Sequence, residues 1–109
     1  MSSIENIPSL AAYGFIGYGQ MAKALIIGMI SGKLCLPNQI IVSDPSIAVS
    51  IDPNQPRITT DNCEVARRCR VLVLAVKPAV VPFVCRQIAA ALDVTQTLVL
   101  FIRIKKLIL

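Results

Sequence analysis

Three glycines in the stretch AYGFIGYGQMAKAL, residues 12–25, have the spacing of a loop that can hold a phosphate. Gly17, Gly19 and Ala22 form a G-x-G-x-x-A pattern, a fingerprint of dinucleotide-binding loops. Gly17 permits a tight turn, Gly19 lets the backbone approach a pyrophosphate because it lacks a Cβ, and Ala22 lets a helix pack close to a sheet. The N-terminus of that helix offers N–H groups and a partial positive charge to the pyrophosphate. The other interpretation is a glycine turn without a ligand in some other α/β protein.

Asp44 is the acidic residue that a dinucleotide site needs further along the chain. It ends the apolar run QIIVSD, close to the spacing of roughly 20 residues at which a carboxylate receives the adenosine ribose. A carboxylate accepts from a free 2′-hydroxyl and repels a 2′-phosphate, which favours NAD. Ser43 and Ser46 would serve a phosphate if Asp44 turned away, which would favour NADP. Asp44 is equally well explained as a turn residue before Pro45.

The segment Ala75–Val76–Lys77–Pro78 lies where the continuous apolar run RVLVLAV ends. A run without polar alternation is typical of a parallel strand that is buried on both faces. Open α/β sheets bind ligands beyond the carboxyl ends of such strands, so we expect this segment at the ligand crevice. A positioning role or attraction to phosphate suits Lys77 better than general base catalysis.

The other reactive residue types indicate no second chemistry. The chain has no histidine, and its four cysteines have no C-x-x-C spacing, which argues against a metal site. We expect Cys35, Cys63, Cys69 and Cys85 to be small buried thiols in a reducing compartment. No apolar run has the length of a signal peptide or a membrane span, so a cytoplasmic protein without a membrane partner is predicted.

Composition favours one folded domain. A chain of 109 residues has room for one core, and with 55% hydrophobic and 16% charged residues it is too apolar to be disordered and should expose apolar surface. The net charge of +5 comes from scattered basic residues, and only 5% of residues are aromatic, which argues against nucleic-acid binding. An anionic cofactor explains the positive balance equally well.

Strands and helices alternate along the sequence. AAYGFIG, QIIVSD, RITT, RVLVLAV and TLVLFI predict strands, and residues 20–32, 61–69 and 78–92 predict helices, with residues 45–56 mostly loop. Alternation of this kind predicts a Rossmann-like α/β fold, with a doubly wound, mostly parallel sheet and helices on both faces.

The ends and faces of these helices can also be predicted. Gly32 is placed to end the first helix, Asp61 or Asn62 to cap the second, and Pro78 to begin the third. In the first helix one apolar stripe is formed by Met21, Leu25, Gly28 and Met29, and Ile26, Ile27 and Ile30 widen it until little of the circumference is polar. In the third helix the apolar face is formed by Val81, Val84, Cys85, Ile88 and Leu92.

Four motifs in order, GFIGYGQMAKALI, IIVSDPS, TTDN and LAVKP, resemble the N-terminal domain of the pyrroline-5-carboxylate reductases. The resemblance covers the chain to about residue 99, and the combination of GFIGxGxMA with AVKP is more specific than G-x-G-x-x-A alone. It implies an oxidoreductase of proline biosynthesis that transfers hydride from NADPH or NADH to a cyclic imine.

The resemblance also assigns site residues, all of them to cofactor binding and none to catalysis. It implies that residues 16–21 wrap the pyrophosphate, that Asp44 flanks the adenosine ribose, that Asn62 meets the adenosine end and that residues 75–78 lie along the nicotinamide ribose. The cofactor-binding residues are therefore Ile16, Gly17, Tyr18, Gly19, Gln20, Met21, Asp44, Asn62, Ala75, Val76, Lys77 and Pro78.

Residues 100–109, LFIRIKKLIL, depart from the family pattern. Similar proteins have a segment of the S-x-A-A-G type there and continue into a helical domain that completes the active site. We therefore predict a dinucleotide-binding domain at 1–99, an atypical tail at 100–109 and a truncated or frameshifted product that is inactive on its own. The alternative is a non-catalytic NAD(P)-binding module, or half an enzyme that pairs with a second copy or a companion chain through exposed apolar surface.

Overall fold

The computed structural model describes residues 11–49, 52, 54–93 and 95–100. The five strands are β1 (Ala11–Ile16), β2 (Ile40–Ser43), β3 (Arg57–Thr59), β4 (Cys69–Leu74) and β5 (Thr97–Leu100). The three α-helices are α1 (Gln20–Ser31), α2 (Asn62–Arg68) and α3 (Val81–Ile88).

All strand pairs are parallel, and the strands lie in the order β3-β2-β1-β4-β5. The chain builds the sheet outward from β1 to β3, returns to the other side of β1 to form β4, and continues to β5. The direction of building reverses between β1 and β4, which is the topological switch point at which open α/β sheets bind ligands. The predicted fold class is confirmed.

Apolar side chains cover the sheet on both faces. On one face, Phe15 and Val42 pack with the buried side of α1, formed by Ala22, Ile26 and Met29. On the other face, strand residues pack with α2 and α3 through Ile16, Ile41, Leu72, Leu74, Val65, Ala66, Val84 and Ile88.

The buried side of α1 differs from the predicted stripe. Met21 is 37% exposed and Gly28 is exposed, whereas Ala22 and Ile26 are buried. Of the predicted stripe, Met29 is buried and Leu25 is partly buried, so the buried side is shifted toward Ala22 and Ile26 and away from Met21 and Gly28. Because α1 is apolar around most of its circumference, its apolar residues alone do not determine which side is buried. The predicted close packing of Ala22 on the sheet does, and Ala22 is buried in the cluster that contains Phe15 and Val42.

The end of α1 is a Schellman motif, in which the N–H of Lys33 donates to Ile30 O at 3.0 Å and the N–H of Leu34 donates to Met29 O at 2.9 Å. Gly32 is the C-cap, as predicted, with an ordinary φ of −79°. The left-handed position is the next residue, Lys33, with φ of 60°. A residue with a Cβ thus occupies the position that normally favours glycine.

Helix α2 lies close against β1. Asp61 is its N-cap, as predicted, and Oδ1 of Asp61 accepts from the N–H of Cys63 at 2.9 Å. A Cβ built on Gly14 of β1 would lie only 2.7 Å from Val65 Cγ1 and from Cys69 Cβ. Gly14 therefore allows the close approach of helix and strand.

The predicted helix over 78–92 is α-helical only in its middle. A 3-10 turn at Pro78–Val80 precedes α3, with Pro78 in its first turn, and another at Ala89–Ala91 follows. The strand predicted at 70–76 is observed at Cys69–Leu74, so Ala75 and Val76 lie just beyond its carboxyl end.

The described residues of 45–56 contain no helix, as predicted, and residues 50, 51 and 53 lie outside the described residues. The boundary predicted between residues 99 and 100 lies within β5, and residues 101–109 of the predicted tail lie outside the described residues. None of the helices in the described part of the chain has the length and apolar character needed to cross a membrane.

Candidate functional site

Gly17 forms the turn between β1 and α1, and the fold itself requires a glycine there. Its φ is 100°, and a Cβ on it would lie 2.5 Å from the carbonyl oxygen of Ala75. Its N–H donates to Ser43 O at 2.9 Å, while the N–H of Ala75 donates to Ile16 O at 2.8 Å. The carboxyl ends of β1, β2 and β4 are thereby held together around this turn.

Gly19 is the N-cap residue of α1, and the packing of the protein around it does not require a glycine. A Cβ built on Gly19 would meet no atom within 4 Å. No side chain caps this helix, and its first turn has no acidic residue. The positive end of the helix therefore borders open space, an arrangement that suits an anion.

Asp44 follows β2 and is bound to the glycine loop. Its Oδ2 accepts from the N–H of Tyr18 at 3.1 Å, and its Oδ1 accepts from Ser46 N–H at 2.8 Å and Ser46 Oγ–H at 2.6 Å. Desolvation by itself would raise the pKa of this carboxyl, but the hydrogen bonds from Ser46 and Tyr18 and the charge of Lys23 outweigh it and lower the pKa. Asp44 is therefore a fixed, ionised carboxylate.

Asn62 lies in a chain of hydrogen bonds that crosses from the sheet to α3. Its Oδ1 accepts from Ser43 Oγ–H at 2.6 Å, and its Nδ2 donates to Gln87 Oε1 at 2.9 Å. The second N–H of the amide remains for another acceptor. These two hydrogen bonds connect the end of β2 to α3 through Asn62.

A cavity of about 380 Å³ lies at the carboxyl ends of these strands. Most of the predicted cofactor-binding residues line it, namely Ile16, Gly17, Tyr18, Gly19, Asp44, Asn62, Ala75, Val76 and Lys77. Three predicted residues, Gln20, Met21 and Pro78, are exposed but do not line this cavity. Ser43, which the sequence offered only as an alternative contact to a phosphate, also lines the cavity, and four further lining residues were not predicted, namely Pro45, Val80, Phe83 and Val84.

Two lysines give the rim of the site a positive charge. The Nζ of Lys23 lies 5.2 Å from the centre of the Tyr18 ring, within reach of a cation–π interaction. Lys77 lines the cavity and is exposed. Lys77 and the positive end of α1 favour an anionic ligand, while the charge of Lys23 also acts on Asp44 and helps to lower the pKa of its carboxyl.

The cysteines lie apart from this cavity and are all free thiols. Cys35 and Cys69 are buried, as predicted, while Cys63 and Cys85 are half-buried. Burial raises the pKa of Cys69 to about 11 and also raises the pKa of Cys35. Among the described residues, no group of three or more His, Cys, Asp or Glu could hold a metal ion.

The glycine turn, the switch point and the acidic residue after β2 together define a dinucleotide-binding α/β domain. The family model described as NADP oxidoreductase coenzyme F420-dependent matches residues 12–100, and the chain belongs to this family.

Within that family, the chain is similar to pyrroline-5-carboxylate reductases. The chain is 36% identical over 81 residues to pyrroline-5-carboxylate reductase 2 of Bos taurus, covering 71% of this chain and 25% of the bovine protein. It is 39% identical over 79 residues to pyrroline-5-carboxylate reductase of Synechocystis, covering 70% of this chain and 30% of the relative. The chain thus spans about a quarter to a third of the length of these relatives, and the predicted resemblance is confirmed.

Solved structures show the same similarity. The Plasmodium falciparum pyrroline carboxylate reductase, solved with NADP bound, superposes with a TM-score of 0.72 and 27% identity, covering 84% of this chain and 33% of the other. The pyrroline-5-carboxylate reductase of Coxiella burnetii gives a TM-score of 0.70 and 29% identity, with 84% and 35% covered.

Proposed function

We propose that this chain binds NADPH or NADH in the cavity at the switch point, as the cofactor-binding domain of a pyrroline-5-carboxylate reductase-like oxidoreductase. The observation that carries the proposal is the open space at Gly19, next to the uncapped positive end of α1. A glycine that the protein's own packing does not require is explained by the approach of a pyrophosphate to the backbone. The NADP bound to the similar Plasmodium protein supports the same ligand class.

The proposed assignment places each part of the cofactor against a different element. The backbone of residues 16–21 holds the pyrophosphate, Asp44 accepts from the adenosine ribose and Asn62 contacts the adenosine end. Residues 75–78 lie along the nicotinamide ribose, where the charge of Lys77 attracts the phosphates. Ala75 to Lys77 line the cavity, which supports this assignment.

The chemistry would come from the cofactor, which supplies a hydride to the cyclic imine. The part of the chain that the structure describes would bind and orient the dinucleotide, and we assign no catalytic residue in it. We therefore propose that the 109-residue chain binds cofactor but reduces no pyrroline-5-carboxylate unless a partner supplies the rest of the site.

Exposed apolar side chains support a contact with a second copy or a companion chain. Ile27, Leu34 and Leu36 are each more than 60% exposed, which fits the predicted exposed apolar surface. We propose that this surface is covered in a homodimer or by a companion chain, which sedimentation of the purified protein would detect. The cytoplasmic location remains a prediction.

Calorimetric titration of the full chain with NADPH and NADH tests cofactor binding, using Gly19→Val as the critical variant. The valine side chain would enter the space proposed for the pyrophosphate, so we expect the loss of measurable binding without loss of the fold. Gly28→Val is the matched control, since Gly28 also has open space around its Cβ but lies away from the cavity. Unchanged binding by Gly19→Val would refute the proposed site.

Catalysis needs a separate measurement. Oxidation of NADPH or NADH would be followed in the presence of pyrroline-5-carboxylate, with the full chain alone and with lysate fractions of the source cell added. We expect no turnover by the chain alone. Turnover by the chain alone would overturn the proposed need for a partner while leaving the cofactor site intact.

A further inference from the structure

Phe83 is a large aromatic residue that lies on the cavity wall instead of in the core. It is 60% exposed, and Val80, three residues earlier, is 39% exposed; both line the cavity. The side of α3 that packs against the sheet is formed by Val84 and Ile88, which are buried. The core therefore does not account for an aromatic residue at position 83.

The position of Gln87 shows which end of the cavity Phe83 borders. Residues four apart lie on the same side of a helix, so Phe83 and Gln87 share a side of α3. Gln87 Oε1 accepts from Asn62, which in turn accepts from Ser43 at the end of β2. This side of α3 thus faces the end of the cavity that contains Asp44 and Asn62.

We propose that Phe83 is the platform on which the adenine ring of the dinucleotide stacks. This inference rests on the proposed function, which places the adenosine at the Asp44 end of the cavity. An adenine ring offers a flat π-face to an aromatic side chain, and Val80 and Pro45 add apolar wall around it. The unused N–H of Asn62 can donate to a ring nitrogen of the base.

If the adenine stacks on Phe83, replacement of Phe83 should weaken the binding of NADH and of NADPH by the same factor. The two cofactors differ at the ribose 2′ position and not at the base, so Phe83 would stack equally well in both. Cofactor choice would depend on Asp44, and base binding would depend on Phe83.

The test measures binding of NADH and of ADP-ribose to the full chain, since ADP-ribose keeps the adenosine half and lacks nicotinamide. We expect Phe83→Ala to raise both dissociation constants by roughly tenfold, the typical effect of losing one base–aromatic stack. Phe83→Tyr, which keeps an aromatic ring, should bind as tightly as the unchanged chain, whereas Phe83→Leu should not. Leu98→Ala is the control, because Leu98 is 50% exposed on β5 and does not line the cavity.

Three results would contradict the inference in different ways. Equal affinity of Phe83→Ala and the unchanged chain would exclude stacking on this ring. Loss of NADH affinity with unchanged ADP-ribose affinity would place the ring against the nicotinamide half instead. Failure of the unchanged chain to bind either ligand would refute the proposed function itself. Far-ultraviolet circular dichroism of each variant would verify that the fold is retained.

Discussion

The backbone N–H of Tyr18 donates to Oδ2 of Asp44 at 3.1 Å, which joins the glycine loop to the residue that follows β2. The same carboxylate holds the next turn through Ser46. Asp44 therefore has a structural role in the free protein as well as the proposed role at the ribose. The two explanations that the sequence left open, ribose binding and turn formation, are compatible in one carboxylate.

Replacement of Asp44 by Asn should lower stability in a pH-dependent way. The folded-state pKa of Asp44 lies below its ordinary 3.8, so the ionised carboxylate stabilises the fold above that pH, and the stabilisation is lost as the pH falls through the lowered pKa. We expect Asp44→Asn to cost about 1 kcal/mol at neutral pH, the usual scale of lost hydrogen bonds. Urea unfolding at several pH values would measure the difference, which should disappear in strong acid. A difference that is constant with pH would show that the charge of Asp44 does not contribute.

Asp44→Ser should shift cofactor preference toward NADPH. The fixed carboxylate would accept from the 2′-hydroxyl of NADH and repel the 2′-phosphate of NADPH, and serine removes that repulsion. We expect the ratio of the NADPH to the NADH dissociation constant to fall by about tenfold, equivalent to about 1.4 kcal/mol. Titration of both cofactors into both proteins measures this ratio. An unchanged ratio would mean that Asp44 does not face the ribose.

Lys33→Gly should stabilise the protein. Lys33 has a φ of 60° in the Schellman motif after α1, a backbone conformation that costs a residue with a Cβ about 1 kcal/mol. We expect a gain of that size in the free energy of unfolding. Ala24→Gly is the control, because the same new residue inside the exposed side of α1 should cost about 1 kcal/mol. A loss of stability in Lys33→Gly would contradict the role assigned to the left-handed position.

Two glycines should respond in opposite ways to replacement by alanine. Gly14→Ala places a Cβ 2.7 Å from Val65 Cγ1 and Cys69 Cβ, so we expect a cost of about 1–3 kcal/mol from overpacking. Gly28 has open space on the exposed side of α1, and alanine there should add roughly 0.5–1 kcal/mol through helix propensity. Thermal unfolding of the two variants gives the comparison. Equal effects of the same sign would show that close packing of α2 on β1 is not the reason for Gly14.

The sequence predicts the sheet well because its signals are local. Continuous apolar runs mark buried parallel strands, and the G-x-G-x-x-A turn marks where the first strand meets a helix. These signals locate Gly17 and Gly19, and the end of the second run locates Asp44. Each residue was predicted at the carboxyl end of a strand or in the turn after it, and each lies there in the structure.

The features that the sequence did not predict depend on contacts between distant elements. The apolar circumference of α1 does not show that Met21 is exposed, and only the G-x-G-x-x-A pattern indicates the buried side, at Ala22. Val80 and Phe83 are part of an apolar segment in the sequence, and their place on the cavity wall depends on how α3 packs against α2 and the sheet. The sequence signal that could have indicated this position is the spacing of three residues between Val80 and Phe83. The two side chains share a side of the helical segment, and Phe83 is on a different side from Val84.

The position of β1 at the centre of the sheet has a consequence for how the chain folds during synthesis. Tyr13 lies opposite Ile40 of β2 on one side and opposite Val71 of β4 on the other. Both edges of β1 are satisfied only after β4 has left the ribosome, so a nascent chain that ends before β4 carries one unpaired strand edge. Parallel pairing between segments this far apart in sequence closes slowly, and until it closes the exposed edge of β1 can pair with a strand of another unfinished chain.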